Sequence, residues 1–168
     1  MDISRFNDLD SADAAAVLRP CADIGRWIET ILSARPFGSI DELLACAQNA
    51  ADPFTEAEIN VALAHHPRIG ERAAGSSAEA TLSRGEQSTL NLDGRIAAEL
   101  LSGNRAYEER FERVFLIRAA GRSSEEILAE LRRRLDNDPE AELAEVGEQL
   151  RAIALLRLDA CFGRVPSS

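Results

Sequence analysis

The 168-residue chain contains no lysine; all nineteen of its basic side chains other than histidine are arginines. That absence excludes a lysine Schiff base, with or without pyridoxal phosphate, and a phosphate-binding loop of the GxxxxGK[ST] form. Histidine is almost as scarce, with only His65 and His66. No HExxH or CxxC pattern occurs, and the two adjacent imidazoles diverge, so a zinc site is disfavoured. Cys21, Cys46 and Cys161 are odd in number and widely spaced, the pattern of buried, reduced thiols in a cytosolic protein. No apolar run reaches membrane-spanning length, and Met1-Asp2-Ile3-Ser4-Arg5 lacks the apolar core of a signal peptide. A formal charge of −10 argues against nucleic acid and anionic membranes as partners, because both require a basic face. An enzyme with this composition works without a cofactor, using acid–base and hydrogen-bonding side chains alone.

What the chain does have is helix-forming sequence. Ala, Leu, Glu and Arg dominate, Val, Ile and Thr are sparse, and no stretch alternates with period two. The expectation is one all-α domain over residues 1–168, of about eight helices, with a loose tail at about 164–168. Asp10 or Ser11 caps a helix through Leu18, and a second covers Ala22 to Ala34 with Ile24, Trp27, Ile28 and Ile31 at core spacing. Arg35-Pro36-Phe37-Gly38 breaks the chain, after which Ser39 and Glu42 form a capping box for a helix to about Asn49. Thr55 caps a helix reaching about Ala64, and Ala73 to Ser77 reads as loop. A long helix is expected from Ala78 to Leu101, ended by Gly103. Asn104 then caps a helix carrying Tyr107, Phe111 and Phe115, three aromatics read as core. After a break at Gly121 and Ser123-Ser124-Glu125-Glu126 a helix runs to about Leu135, and a last one from about Glu140 to Phe162 completes the set, with Arg132-Arg133-Arg134 on a solvated face.

Three features suggest chemistry. Proline restricts the residue before it, so His66 in His66-Pro67-Arg68-Ile69-Gly70 should fall just past a helix end, on the connection. There it is either a general acid or base or a polar group complementing the helix terminus. Ser83-Arg84-Gly85-Glu86 is either a capping box or, if the helix starts upstream at Ser76 or Ser77, a Ser–Glu pair on one helix face. Arg157, set among Ile153, Leu155, Leu156 and Leu158, calls for an anionic partner, either a structural carboxylate or a substrate's.

In chain order, Arg35-Pro36-Phe37, His66-Pro67-Arg68-Ile69-Gly70, Ser83-x-x-Glu86-Gln87, Asn104-x-x-Tyr107-x-x-x-Phe111-x-x-x-Phe115 and Ile153-x-x-x-Arg157-Leu158 resemble the 2-oxo-4-hydroxy-4-carboxy-5-ureidoimidazoline (OHCU) decarboxylase family over roughly residues 20 to 160. Two departures stand out: Glu112-Arg113-Val114 replaces a Gly-Phe-Pro-like insert, and Arg118 interrupts the apolar run after Phe115. The resemblance implies an all-α, cofactor-free carboxy-lyase that converts OHCU to (S)-allantoin and CO2 at the end of urate degradation. It implies His66 as proton donor and Glu86 as its catalytic partner on the substrate's ureido or ring nitrogens. Pro67 would fix the histidine's approach, and Ser83, Arg84, Gly85 and Gln87 would supply contacts. Backbone groups of Phe115, Leu116, Ile117, Arg118 and Ala119 would line the opposite wall, while Arg157 would hold an anionic or carbonyl edge. The resemblance favours a homodimer, although no apolar stripe marks an interface. The ending Pro166-Ser167-Ser168, in place of a Ser-Lys-Leu peroxisomal signal, points to the cytoplasm. The competing reading is an acidic helical interaction module without chemistry, which would carry an exposed apolar groove.

Overall fold

The computed structural model describes residues 1–71, 78–88, 90 and 92–163. The expected loop at 73–77, the upstream helix start at Ser76 or Ser77, and the 164–168 tail lie outside them. Among the described residues the chain is entirely helical, with α1 (Ile3–Asp8), α2 (Ser11–Leu18), α3 (Gly25–Ser33), α4 (Ile40–Asn49), α5 (Glu56–Leu63), α6 (Ala78–Glu86), α7 (Gly94–Phe111), α8 (Ser124–Leu135) and α9 (Pro139–Cys161). Two compact units result: unit 1 is Met1–Ala62 with Arg151–Ser168, and unit 2 is Leu63–Leu150.

In unit 1, side-chain caps start the helices where the sequence offers them. Asp10 accepts from Asp13 N at the head of α2, and Ser39 from Glu42 N at the head of α4. The helix expected from Ala22 begins later, at Gly25, with no side-chain cap. Helix α1 was not expected; Asp2 caps it, and Asn7 at its end makes reciprocal hydrogen bonds of 2.8 and 2.9 Å with the backbone of Phe37. That pairing seats the Arg35-Pro36-Phe37 break. Trp27, wholly buried with Ile31 and Leu43, donates its indole N–H to Ala47 O at 2.9 Å. Carbonyls around the end of α4 are collected by one buried guanidinium: Arg151 donates to Gln48 O at 3.0 Å, Ala50 O at 2.8 Å and Ala51 O at 3.2 Å. A helix C-terminus has orphan carbonyls to satisfy, and this is how the chain meets that need without water.

Arg26 clasps Glu58 with two hydrogen bonds of 2.9 Å. The guanidinium, helped by the backbone and hydroxyl of Thr55, holds the Glu58 carboxyl at about 2, below its ordinary 4.5. Because the folded value is depressed, the stabilisation is complete above about 4.5 and is lost as pH falls through about 2. Melting temperatures of the native protein and a Glu58→Gln variant should therefore differ at neutral pH and converge in acid. A gap that stays constant down to the acid limit would remove Glu58 from the acid response.

Unit 2 gathers Ile69, Ile96, Leu100, Tyr107, Phe111, Phe115, Ile117, Ile127 and Leu131 into one core. The aromatics expected in the core are there, with Tyr107 4.8 Å from Phe111 and 5.2 Å from Phe115 between ring centroids. Several boundaries differ from expectation. The helix from Ala78 stops at Glu86, because Asp93 caps a new helix by accepting from Arg95 N and Ile96 N. Gly103 does not end a helix but lies inside α7. A Cβ there would stand 2.5 Å from Leu131 Cδ2, so the glycine allows α8 to approach at that point. Asn104 is likewise interior to α7 and caps nothing. Phe115 lies beyond α7, which ends at Phe111 with Glu112 in the left-handed region.

The Arg132-Arg133-Arg134 run is not wholly solvated. Consecutive helical residues point about 100° apart, so three in a row cannot share one face. Arg134 joins the Ile127–Leu131 side and is 1% exposed, paired with the equally buried Glu142. Arg132 and Arg133 remain outside, on Glu99 and on Glu130 with Glu145.

Candidate active site

Helix α5 ends at Leu63, two turn residues follow, and His66 lies outside any helix with its N–H on Leu63 O at 3.0 Å. This is the placement that Pro67 imposes. His66 and Pro67 are half-buried, whereas His65 is exposed.

Three side chains fasten the turn that follows His66. Arg68 makes a two-pronged ion pair with Glu108 of α7, and this guanidinium draws the Glu108 carboxyl below the usual carboxylate range. Asn104, buried in α7, donates its amide to Ile69 O at 3.0 Å. Gly70, at φ +88°, donates its N–H to the Gln87 side chain at 3.0 Å. Ile69 itself is buried in the core. The histidine is thus carried on a short stretch in which Arg68, Ile69 and Gly70 are all anchored, the rigidity a proton-transfer group requires.

The Gly70–Gln87 bond brings the two chemically suggestive motifs together. Ser83, Arg84, Gly85 and Glu86 form the last turn of α6, so Ser83 and Glu86 are an i, i+3 pair within a helix and not its cap. Ser83 is buried at 2% exposure, Arg84, Glu86 and Gln87 are half-buried, and Gly85 is exposed. Arg84 reaches Thr81 Oγ1 at 3.0 Å. Beyond its chain neighbours and its own helix backbone, no described atom lies within 4 Å of where a Gly85 Cβ would stand, so packing does not require this glycine. Gly85→Ala should consequently stabilise the protein by about 0.5–1 kcal/mol through helix propensity. If a ligand approaches this backbone, the same variant should also raise KM; thermal melts and steady-state kinetics on one preparation separate the two effects. An unchanged KM would remove Gly85 from the ligand's path.

Residues Phe115, Leu116, Ile117 and Ala119 turn their side chains into the core, all under 5% exposed, while Arg118 is exposed. The segment is non-helical, so what it can present is backbone. Two of its backbone groups are held by side chains: Leu116 O accepts from Arg134 Nη1 at 2.8 Å, and Arg118 N–H donates to Gln149 Oε1 at 2.9 Å. Arg134, Glu142 and Gln149, which sequence reasoning missed as supports, therefore shape this segment. The only clue to the ion pair was a helical phase that puts one arginine of a triplet inward.

Arg157 belongs to unit 1, is 3% exposed, and donates to Pro20 O at 3.1 Å. Of the thiols expected to be buried, only Cys21 is; Cys46 and Cys161 are half-buried. Among the described residues no cluster of His, Cys, Asp and Glu could hold a metal ion, and no helix is long and apolar enough to cross a membrane. Among the described residues, the exposed large apolar side chains are Met1, Val61, Leu92 and Leu101.

This all-α architecture is one that solved structures share. A crystal structure of OHCU decarboxylase in the presence of (S)-allantoin aligns over 86% of this chain and 95% of that one, with TM-score 0.66 and 22% identity. A structure of (S)-allantoin synthase aligns over 96% of this chain and 54% of that one, with TM-score 0.70 and 18% identity. In sequence, the chain is 34% identical over 131 residues to 2-oxo-4-hydroxy-4-carboxy-5-ureidoimidazoline decarboxylase of Amia calva, covering 76% of this chain and 75% of the relative. The protein of that name from Haloferax volcanii is 26% identical over 166 residues, 96% of each. The OHCU decarboxylase family pattern matches residues 7–159, and the chain belongs to that family.

Proposed function

We propose that this protein decarboxylates OHCU to (S)-allantoin, with His66 as the proton donor and Glu86 as its partner on the substrate. The observation that carries the reading is the Gly70–Gln87 hydrogen bond, which ties the histidine's turn to the end of the helix bearing Ser83 and Glu86.

The chemistry suits a chain with these residues. The substrate carbon that bears the carboxylate also bears a hydroxyl and adjoins an imine system. As the C–C bond to the carboxylate breaks, its electron pair passes into that system, so the substrate is its own electron sink. What remains for the protein is to orient the carboxylate for departure, stabilise developing charge and deliver a proton to one face. His66 delivers the proton, held in register by its anchored turn. Glu86 hydrogen-bonds the ureido or ring nitrogens. Ser83, Arg84, Gly85 and Gln87 add contacts beside it, Pro67 limits the histidine's approach, and the Phe115–Ala119 segment offers N–H and C=O groups. Arg157 takes the anionic or carbonyl edge, a role supported by its place in the family's sequence pattern. A cytoplasmic location, independence of any cofactor and a homodimer complete the proposal, the last checked by light scattering.

The direct test follows loss of freshly generated OHCU and release of CO2 with and without the protein. Acceleration proportional to protein concentration, with one CO2 per substrate, is expected. An unchanged rate with folded protein would sink the assignment.

A further inference from the structure

The cysteines take no part in the proposed reaction, yet two of them are paired in unit 1. Cys21 follows α2 and Cys161 ends α9, 140 residues later, and their sulfurs stand 4.0 Å apart as free thiols. A disulfide bond is about 2 Å long, so roughly 2 Å remains to be closed, a distance within reach of modest side-chain rotations at two residues that lie at helix ends. The pair is also asymmetric in a useful way. Cys21 is fully buried and keeps a second sulfur contact, to Val17 O at 3.8 Å, while Cys161 is the less buried of the two.

We propose that Cys21 and Cys161 are a peroxide-responsive dithiol, with Cys161 the attacking sulfur and Cys21 the resolving one. The Cys161 thiolate attacks one oxygen of hydrogen peroxide; the O–O bond breaks, and hydroxide leaves and is protonated to water, giving a sulfenic acid. The Cys21 sulfur, on losing its proton, attacks the Cys161 sulfur; the S–O bond breaks, and a second hydroxide leaves and is protonated to water. Two thiols are oxidised by two electrons, and one peroxide is reduced to two waters. The Cys21 hydrogen bond favours the attacking thiolate, bringing the Cys161 thiol down to about 7 against the cost of burial. Cys46 has the opposite environment: burial pushes its thiol up, which makes it an internal control. Neither the pairing nor its oxidation depends on the proposed decarboxylation.

The test treats the folded, full-length protein with hydrogen peroxide, alkylates the remaining thiols, digests without reductant and maps the peptides by mass spectrometry. A Cys21–Cys161 linked peptide is expected, lighter by two hydrogens than its separate halves, with Cys46 still alkylatable and with all three thiols restored by dithiothreitol. Linking should accelerate several-fold as pH rises through about 7. In Cys161→Ser, where the altered side chain is only half-buried, Cys21 should stay unoxidised over the same interval. In Cys21→Ala, checked for folding by far-UV circular dichroism, dimedone should trap a sulfenic acid at Cys161. The proposal is overturned if Cys161 of the native protein passes to sulfinic acid while Cys21 stays alkylatable. It is equally overturned if both thiols survive peroxide that oxidises Cys46.

Discussion

Glu142→Ala is expected to destabilise the protein by about 3–5 kcal/mol, because it removes the directly hydrogen-bonded counter-charge of a buried guanidinium. Glu142 and Arg134 are 0% and 1% exposed. Arg134 Nε lies 2.9 Å from Glu142 Oε1, its Nη2 binds the same oxygen, and Tyr107 donates its hydroxyl there too. Asn137 occupies the other carboxylate oxygen at 2.9 Å. Burial, reinforced by the neighbouring carboxylate, pushes the Tyr107 phenol well above its ordinary value, so it remains a donor throughout the working pH range. Removing the carboxylate takes the acceptor from the Tyr107 hydroxyl and from Arg134 Nε and Nη2, while Asn137 keeps Glu145 Oε1 at 3.0 Å. The cation then keeps Leu116 O, the Phe115 ring 4.7 Å from the guanidinium carbon, and the more distant, partly exposed Glu145 at 3.8 Å from its Nε. The cost is one of isolation, since buried ion pairs contribute little net stability against well-packed apolar replacements. A double variant, Arg134→Met with Glu142→Leu, should therefore recover much of the loss. Urea midpoints for the single and double variants decide the matter: a single-variant loss below about 1 kcal/mol would mean water reaches the pair. Leu116 O hangs on this cluster, so the single variant should also loosen the Phe115–Ala119 segment.

The second large effect is kinetic. His66→Ala should lower kcat about 10²–10⁴-fold, the usual contribution of a positioned general acid, with a much smaller change in KM. The fold should survive, because the side chain is half-buried and the local tie from His66 N–H to Leu63 O is backbone. Gln87→Ala provides a graded comparison. It removes the 3.0 Å bond to Gly70 but leaves the holds at Arg68 and Ile69, so the histidine's turn is loosened and not released. Its loss of kcat should be smaller than that of His66→Ala, and steady-state kinetics of the two variants rank them. Equal losses would mean that Gln87 does more than position.

What could be read from sequence was local. Pro67 dictated where His66 falls, Ser39 announced its helix by capping-box spacing, and the Tyr107–Phe111–Phe115 interval placed three aromatics in one core. The readings that failed depended on partners far along the chain. Gly103 looks like a helix stop until Leu131 is seen lying where its Cβ would be. Asn104 looks like a cap until its amide is found on Ile69 O. Helical phase turns Arg134 inward but does not reveal that Glu142 of the next helix meets it, and Cys21 gives no sign of Cys161 across 140 residues. Of the candidate site, the sequence order of His66, Glu86 and Gln87 was legible; the bond that joins their segments was not.

Chirality offers the sharpest single test, because proton delivery from a fixed His66 must reach one face of the substrate. Circular dichroism should be recorded while freshly generated OHCU decays, alone, with the native protein and with His66→Ala. Uncatalysed decay leaves racemic allantoin and no lasting signal. With the native protein the (S)-allantoin signal should rise rapidly and persist, and with His66→Ala it should be lost or greatly slowed. A flat trace with folded native protein, or a full and enantioselective signal from the variant, would contradict the role given to His66.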